Sequence, residues 1–201
     1  YRIGYDGHRR HVETLARAAE HGHRAAPRPD ATYLITGGLG GLGLAAARTL
    51  SEAGARHLVL LGRTPPDDPA LREIEELRAA GCAVLVRTAD VADRGQLAEV
   101  LAALADDPQQ PPLAGVLHLA GTLDDGVLLL QTPDRLSRVM SPKARGAWHL
   151  HELTLDTPLE FFVLFSSASS LFGTGGQATY ATANAFLDGL ASYRHGHGLP
   201  A

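Results

Sequence analysis

Apolar and polar positions alternate along residues 31–201 in blocks that predict strands and helices in turn. Runs that are apolar throughout, such as the one at 161–165, are typical of strands buried on both faces of a sheet. Between these runs, apolar residues recur at helical spacing among charged ones. The predicted strands are 32–36, 57–61, 83–88, 115–120 and 159–166, and the predicted helices are 42–53, 68–80, 94–105, 133–153 and 180–194.

Regular alternation of strands with helices predicts a parallel sheet covered by helices on both faces. The crossovers between its strands are expected to be right-handed. The predicted fold class is therefore α/β, a doubly wound parallel sheet of the Rossmann type. Ligands bind such a sheet at the carboxyl ends of its strands. We therefore look for functional residues directly after each predicted strand.

The first 30 residues depart from this pattern. A strand pair is predicted around Asp6-Gly7, followed by a short helix or linker at 13–21 and a Pro-containing boundary at 25–30. We interpret residues 1–30 as the tail of a neighbouring structural subdomain with a linker, and 31–201 as the cofactor-binding catalytic domain. The chain begins without Met and stops after a helix, so we expect a piece of a longer polypeptide whose C-terminal end is missing.

Composition narrows the possible partners and compartment. The 201 residues are 45% hydrophobic, and no apolar run approaches the ~20 residues of a membrane span. A net charge of −4 argues against a nucleic-acid surface. The single cysteine, Cys82, suits a reducing compartment, so a cytoplasmic location is expected. Lys143 is the only lysine in an arginine-rich chain, which suggests a role that arginine does not fill.

A glycine-rich segment follows the first predicted strand and opens the first helix. Backbone N–H groups at a helix N-terminus bind pyrophosphate, and glycine allows the backbone to approach it closely. We therefore predict a dinucleotide-binding turn; the alternative is a glycine-rich strand–helix turn that binds nothing. The candidate cofactor contacts in this segment are Thr36, Gly37, Gly38, Leu39, Gly41, Leu42 and Gly43.

Further cofactor contacts are expected after the next three strands. Arg63 follows strand two, where a guanidinium favours the 2′-phosphate of NADPH; the alternative is a solvated loop arginine. Asp90 and Val91 follow strand three, where a carboxylate accepts from the adenine amino group and valine packs on the ring. Ala120 and Gly121 end strand four, where glycine allows close backbone approach to the cofactor.

Four polar side chains form a candidate catalytic set. Ser167 follows strand five, and Tyr180 lies on the next helix with Asn184 one turn later on the same face. A hydroxyl and a phenol at this edge can hydrogen-bond a substrate carbonyl, and the phenol can supply a proton. A free phenol has a pKa of about 10, so it needs a nearby cation, for which Lys143 is the candidate. Each residue alone is also compatible with packing, and His118 is interpreted as a core histidine.

Over about residues 31–201 the chain resembles the ketoreductase domains of modular type I polyketide synthases, within the short-chain dehydrogenase/reductase superfamily. Segment 36–43 matches the TGxxxGxG cofactor turn, and 143–150 is similar to the KxxGxxxL segment. Segments 165–170 and 176–188 resemble the serine and tyrosine segments. Asn184 holds the place that general short-chain reductases give to lysine, while Lys143 lies upstream, the exchange that these synthase domains use.

This resemblance implies reduction by NADPH of a β-ketoacyl thioester carried by the phosphopantetheine of an acyl carrier protein. It implies Tyr180 as proton donor, Ser167 as the hydrogen-bond partner of the carbonyl, and Lys143 with Asn184 as phenol-tuning and proton-relay groups. Other domains of the same polypeptide are the remaining expected partners, and no metal, membrane or nucleic acid is expected. In some modules an enoylreductase precedes such a domain, which the sequence leaves open.

A loop after strand four carries a candidate stereochemical signal. Leu123-Asp124-Asp125 resembles the Leu-Asp-Asp motif of B-type ketoreductases, and Phe172 stands where the opposite class tends to place tryptophan. With Gln177 they are our candidates for substrate contact and stereocontrol. The resemblance implies a D-configured (3R) β-hydroxyacyl product, whereas the alternative is an acidic turn without a stereochemical role.

Three alternative functions stay open. A stand-alone short-chain reductase of small carbonyl compounds disagrees with the Asn/Lys exchange, the N-terminal strand and the missing Met. A redox-silent structural domain predicts damage to the glycine turn or to the catalytic set, and none is visible. An epimerising domain keeps cofactor binding, and the sequence does not exclude it.

Overall fold

The computed structural model describes residues 3–12 and 26–201. Within them the main predicted elements are present. The strands are β1 (Ile3–Asp6), β2 (Arg9–Val12), β3 (Thr32–Thr36), β4 (His57–Gly62), β5 (Ala83–Thr88), β6 (Leu113–His118) and β7 (Phe161–Leu164). The helices are α1 (Gly41–Glu52), α2 (Asp68–Ala79), α3 (Arg94–Asp106), α4 (Pro133–Met140), α5 (Gly146–Leu153), α6 (Ser169–Phe172) and α7 (Ala178–Gly196).

Strands β3 to β7 form one parallel sheet in the order β5-β4-β3-β6-β7. Side chains of β3 alternate between two cores, since Tyr33 and Ile35 pack with α1 and α2 while Leu34 packs with α3 and α5. Helices therefore cover both faces, and the predicted doubly wound Rossmann-type fold is confirmed. Strand order reverses between β3 and β6, which is where such sheets bind ligands.

Two strands end earlier than their apolar patterns suggested. β6 was predicted at 115–120 but ends at His118, because its partner Thr36 is the last residue of β3 before the glycine turn. β7 was predicted at 159–166 but ends at Leu164, where the N–H of Ser166 turns back to the Leu164 carbonyl at 3.0 Å. The residues after both strands are therefore free to form the site.

The predicted continuous helix at 133–153 is interrupted. Between α4 and α5, Ser141–Arg145 forms a single π-helical segment that contains Lys143. Pro142 has no N–H to donate within an α-helical turn, which accounts for the change of hydrogen-bond pattern here. Such π-bulges occur often at functional sites.

The predicted strand pair near the N-terminus is confirmed, since β1 and β2 are antiparallel and Gly7 has φ +58° in the connecting turn. The helix or linker predicted at 13–21 lies outside the described residues. A 3₁₀ turn at Leu128–Leu130 and the short α6 were not predicted. No helix of segments 3–12 and 26–201 combines the length and apolarity needed to cross a bilayer.

Candidate active site

Three glycines of the turn after β3 are required by packing. Gly37 has φ +67°, and a Cβ there would lie 2.8 Å from the backbone nitrogen of Ala120. A Cβ on Gly38 would lie 2.6 Å from the Ile35 carbonyl oxygen, and one on Gly43 would overlap the carbonyl oxygen of Gly37. Any side chain at these positions would push the turn away from β6 or open it.

The same turn leaves the N-terminus of α1 open to a ligand. The preceding residue, Gly40, provides no side-chain cap, and the first turn of the helix contains no acidic residue. The N–H groups of Gly41, Leu42 and Gly43 donate to none of the described residues. A Cβ on Gly41 would meet nothing within 4 Å, so this side of the turn faces open space. Free N–H groups and the helix dipole together favour an anion here.

A cleft of about 790 Å³ lies beside this helix terminus. It extends from the glycine turn to the segment that follows β4, and a smaller cavity of about 90 Å³ adjoins the same turn on the β6 side. Arg63 lines both, and its guanidinium makes no hydrogen bond or ion pair with any residue that the structure describes. Predicted cofactor residues lining one or both spaces are Thr36, Gly37, Leu39, Gly41, Leu42, Gly43, Arg63, Val91, Ala120 and Gly121.

Two predicted cofactor residues line neither space. Gly38 is buried in the turn, where its lack of a side chain allows close approach to β4. Asp90 uses one carboxylate oxygen, Oδ1, to accept from the N–H of Ala92 at 2.9 Å. The sequence reasoning also missed the segment 64–67, which lines the cleft directly after Arg63. The sequence signal that could have identified this segment was its position directly after Arg63, a predicted cofactor contact.

The candidate catalytic residues Lys143, Asn184 and Tyr180 lie together in the structure. Lys143 Nζ donates to Asn184 Oδ1 at 2.8 Å and to the Phe165 carbonyl oxygen at 2.7 Å. The Asn184 Nδ2 donates to the Tyr180 carbonyl oxygen at 2.9 Å, which assigns the orientation of the amide. The Lys143 ammonium lies 5.3 Å from the centroid of the Tyr180 ring. The upstream lysine thus reaches the helix turn that carries tyrosine and asparagine.

Burial perturbs the ammonium of this set. Lys143 is 6% exposed and Asn184 is fully buried. Desolvation lowers the pKa of Lys143 from 10.5 to about 8, although the nearby charge of Asp188 acts in the opposite direction. The Asp188 carboxylate accepts from the Ser170 hydroxyl at 2.6 Å. The sequence analysis did not single out Asp188, although it lies one turn beyond Asn184.

Ser167 lies in the segment 165–168, which leads from β7 to α6. Its Oγ accepts from the N–H of Ser169 at 3.2 Å and from the Ser169 hydroxyl at 3.1 Å. Its own hydroxyl hydrogen, like the Tyr180 phenol, has no acceptor among the described residues. Both groups therefore keep a hydrogen for an external acceptor.

His118 has a larger part in the site than the sequence indicated. Its Nε2 lies 3.0 Å from the Lys143 carbonyl oxygen and its Nδ1 lies 2.7 Å from Thr36 Oγ1. A carbonyl can only accept, so Nε2 carries the hydrogen and Nδ1 accepts from the Thr36 hydroxyl. Burial lowers the pKa of His118 to about 4, which keeps the ring neutral. The ring thus connects the cofactor turn to the π-helical segment that carries the lysine.

Gly121 and Gly146 bring the cofactor cleft close to Lys143. A Cβ on Gly121, which lines the cleft, would lie 3.1 Å from Lys143 Cε. A Cβ on Gly146 would lie 2.8 Å from Val91 Cγ1 and 3.3 Å from His118 Cε1. The lysine stem and the cleft therefore lie in direct contact, and larger residues at these glycines would separate them.

The candidate stereocontrol residues come together only in part. Leu123 and Phe172 are 63% and 64% exposed. The Gln177 Nε2 donates to Asp125 Oδ2 at 2.8 Å, which joins the loop after β6 to the segment before Tyr180. The carboxylate of Asp124 is held separately, by two arginines of α4.

The residues around the cleft fit a dinucleotide. The open helix terminus, the required glycines and the guanidinium of Arg63 suit the phosphates of a nicotinamide cofactor. Among the described residues, no three His, Cys, Asp or Glu side chains gather as metal ligands.

Comparison with known proteins identifies the family. Residues 31–201 match the family model described as KR domain. The chain is 52% identical over 172 residues to mycoketide-CoA synthase of Mycobacterium tuberculosis, covering 85% of this chain and 4% of that protein. A solved structure of A-type ketoreductases from a modular polyketide synthase is 42% identical, with a TM-score of 0.84, covering 94% of this chain and 40% of that one. A ketoreductase domain from the bacillaene assembly line is 35% identical, with a TM-score of 0.88, covering 98% and 46%.

These relatives are similar to this chain over most of its length, although it spans a small part of the synthase and less than half of each solved chain. Ketoreductase domains are oxidoreductases that depend on a nicotinamide cofactor. The similar structures include an A-type and a C2-type enzyme, so overall similarity does not indicate the stereochemical class of this chain. The glycine turn, the Lys143–Asn184 pair and the family match together place this chain among the ketoreductase domains of type I polyketide synthases.

Proposed function

We propose that this chain reduces the β-keto group of an acyl thioester during polyketide assembly, with NADPH as the reductant. The observation that carries the proposal is the hydrogen bond from Lys143 to Asn184 beside Tyr180, in contact with a cleft shaped for a dinucleotide. The thioester is presented by the phosphopantetheine of an acyl carrier protein. Residues 31–201 act as the catalytic domain, and residues 1–30 belong to a neighbouring subdomain of the same multienzyme.

The cofactor is held at the open end of α1. The N–H groups of Gly41, Leu42 and Gly43 bind its pyrophosphate, and Arg63 binds the 2′-phosphate that distinguishes NADPH from NADH. Val91, which lines the smaller cavity, would pack on the adenine, and Asp90 would accept from its amino group through Oδ2, since Oδ1 is bonded to the Ala92 N–H. When bound, the nicotinamide supplies the hydride that is added to the carbonyl carbon.

The chain's own residues hold and protonate the carbonyl oxygen. Ser167 donates its hydroxyl hydrogen to that oxygen, and Tyr180 donates its phenolic proton to it as negative charge develops. The Lys143 ammonium stabilises the resulting phenolate, and it is itself held by Asn184 and by the Phe165 carbonyl. Lys143, held by Asn184, is the group that returns a proton to the phenolate.

We further propose that the product is the D-configured (3R) alcohol. The support is local: Leu123-Asp124-Asp125 follows β6, Asp125 is bonded to Gln177, and Phe172 stands in place of tryptophan. This loop steers the side from which the phosphopantetheine arm enters, and so decides which face of the ketone meets the hydride.

The test is direct reduction of a β-ketoacyl N-acetylcysteamine thioester by NADPH. Turnover is followed by the loss of reduced-nicotinamide absorbance, and the product is resolved by chiral chromatography. We expect NADPH-dependent formation of the 3R alcohol. Cofactor binding without turnover would contradict the reductase function, and exchange of the α-hydrogen without net reduction would replace it by epimerisation.

A further inference from the structure

One arginine organises the loop that follows β6. Arg135, on α4, donates through Nε and Nη2 to Asp124 Oδ1 at 2.9 and 2.6 Å. The same guanidinium donates to the carbonyl oxygens of Asp125 at 2.7 Å and of Leu130 at 3.3 Å. A single side chain therefore ties together both ends of the segment 124–130.

The loop backbone is shaped to lie against this guanidinium. A Cβ on Gly126 would lie 2.9 Å from both Nη1 and Nη2 of Arg135. The Gly126 carbonyl accepts from Gln131 Nε2 at 3.1 Å. Glycine at this position and arginine at 135 therefore depend on each other, because a methyl group would displace the fork from the carbonyls it bonds.

Two hydrogen bonds connect the loop to the segment that precedes Tyr180. The Gly126 N–H donates to the Gly176 carbonyl at 2.7 Å, and Gln177 Nε2 donates to Asp125 Oδ2 at 2.8 Å. Gln177 lies three residues before Tyr180 on the entry to α7. The loop is therefore bonded directly to the segment that leads to the proton donor.

The first aspartate of the motif faces the arginines of α4. The Asp124 side chain is 15% exposed, and it accepts from Arg135 through Oδ1 and from Arg138 through Oδ2 at 3.0 Å. The hydrogen bond from Arg135 holds the pKa of Asp124 below its ordinary value. Both carboxylate oxygens of Asp124 are thus bonded to arginines of α4, whereas Asp125 is bonded to Gln177 through Oδ2 alone.

We propose that Arg135 is a positioning residue for stereoselectivity, acting through Asp124 and the loop backbone on the place where the thioester enters. The inference depends on the proposed reductase function and adds a residue to it. In this role Arg135 does not touch the substrate. It holds the 123–126 loop and the 176–177 segment in one relative arrangement, so that one face of the ketone is favoured.

Replacing the Arg135 guanidinium should lower the stereoselectivity of reduction more than it changes the affinity for the cofactor. In Arg135→Met, Asp124 and the two loop carbonyls lose their shared donor, and the loop adopts several arrangements. We expect the ratio of the two product enantiomers to fall by about tenfold, which corresponds to ~1.4 kcal/mol between the competing transition states. The dissociation constant of NADPH should remain within about twofold, since the loop lies outside the cofactor cleft.

Three further variants make the test specific. Arg135→Lys should not restore selectivity, because an ammonium does not reproduce the planar fork. Arg138→Met is the matched control: among the described residues its guanidinium is bonded to Asp124 alone, and its side chain is 63% exposed, so the enantiomer ratio should change little. Gly126→Ala keeps Arg135 but displaces its guanidinium, and it should lower selectivity even if Arg135→Met fails to fold.

The outcomes separate this inference from the proposed function. If the parent protein is selective and Arg135→Met and Gly126→Ala keep the same enantiomer ratio, the positioning role of Arg135 is wrong and the reductase function stands. If Arg138→Met lowers the ratio as much as Arg135→Met, charge on Asp124 rather than the fork is responsible, and the inference is overturned. If the parent shows no turnover, the proposed function fails and the inference fails with it.

Discussion

Lys143 and Asn184 are joined by a 2.8 Å hydrogen bond although 41 positions separate them along the chain. The bond links the π-helical segment after α4 to the second turn of α7. Asn184 in turn donates a hydrogen bond to the Tyr180 carbonyl oxygen. An ammonium, an amide and a phenol-bearing turn thus form one unit. The predictions below address the members of this unit and the cleft beside it.

Tyr180→Phe should abolish reduction and leave NADPH affinity nearly unchanged, because the phenol acts on the substrate and not on the cofactor. Steady-state reduction and cofactor titration measure the two effects. Tyr193→Phe, on the exposed side of the same helix, is the control and should keep its activity. Near-normal turnover of Tyr180→Phe would remove the catalytic assignment.

Activity should fall as pH rises above about 8, because the Lys143 pKa is lowered to that value and the ammonium is needed to stabilise the phenolate. The group is protonated below its pKa, so its contribution is present at lower pH and lost through this window. The measurement is kcat/KM against pH. Since Lys143 is the only lysine, selective isotope labelling also reports its titration directly by NMR. A lysine that titrates near its ordinary value of 10.5 would contradict the prediction.

The ring of His118 should contribute to stability in a pH-dependent way. Its folded pKa is about 4 against an ordinary value of 6.5, so the unfolded chain binds the proton first as pH falls. Its contribution is therefore complete above about 6.5 and is lost as pH falls toward 4, by up to about 3 kcal/mol. Urea unfolding of the parent and of His118→Asn across this window measures it. Equal pH slopes in the two proteins would show that His118 is not the group responsible.

His118→Leu should also lower turnover, because the Lys143 carbonyl and the Thr36 hydroxyl lose their shared partner. The loss of two buried hydrogen bonds should cost about 1–3 kcal/mol of stability. A matched measurement of Lys143 titration separates misplacement of the lysine from general instability. An unaltered lysine pKa together with unaltered kcat would leave His118 a packing residue only.

Arg63→Ala should weaken NADPH far more than NADH, since only NADPH carries the 2′-phosphate that the guanidinium is expected to bind. Arg72→Ala, exposed on α2 and outside the cleft lining, is the control and should change neither affinity. Binding of both cofactors can be followed by fluorescence titration. Equal losses for NADPH and NADH in Arg63→Ala would mean that Arg63 does not recognise the 2′-phosphate.

Much of the fold follows from local pattern. The apolar runs at β3, β4 and β5 and the capped starts of α2 and α3 depend on residues close in sequence, and the structure agrees with their predicted positions within a residue or so. One error came where a neighbouring strand decides, since β6 ends early because β3 ends at Thr36. The other was local, since Pro142 was visible in the sequence and changes the helix that carries Lys143. Apolar pattern carries no information on where a partner strand stops.

The sequence by itself determined the strand–helix alternation and the glycine turn, because each depends on spacing within one or two turns of chain, and it supplied the chemical types of the candidate catalytic set. Only the tertiary structure decided which side chains meet. Hydrogen bonds of His118 join Thr36 to the Lys143 carbonyl, and those of Arg135 join α4 to the loop after β6. Each set connects elements that are separate in sequence. Burial, which is a property of the packed core, lowered the pKa values of His118 and Lys143.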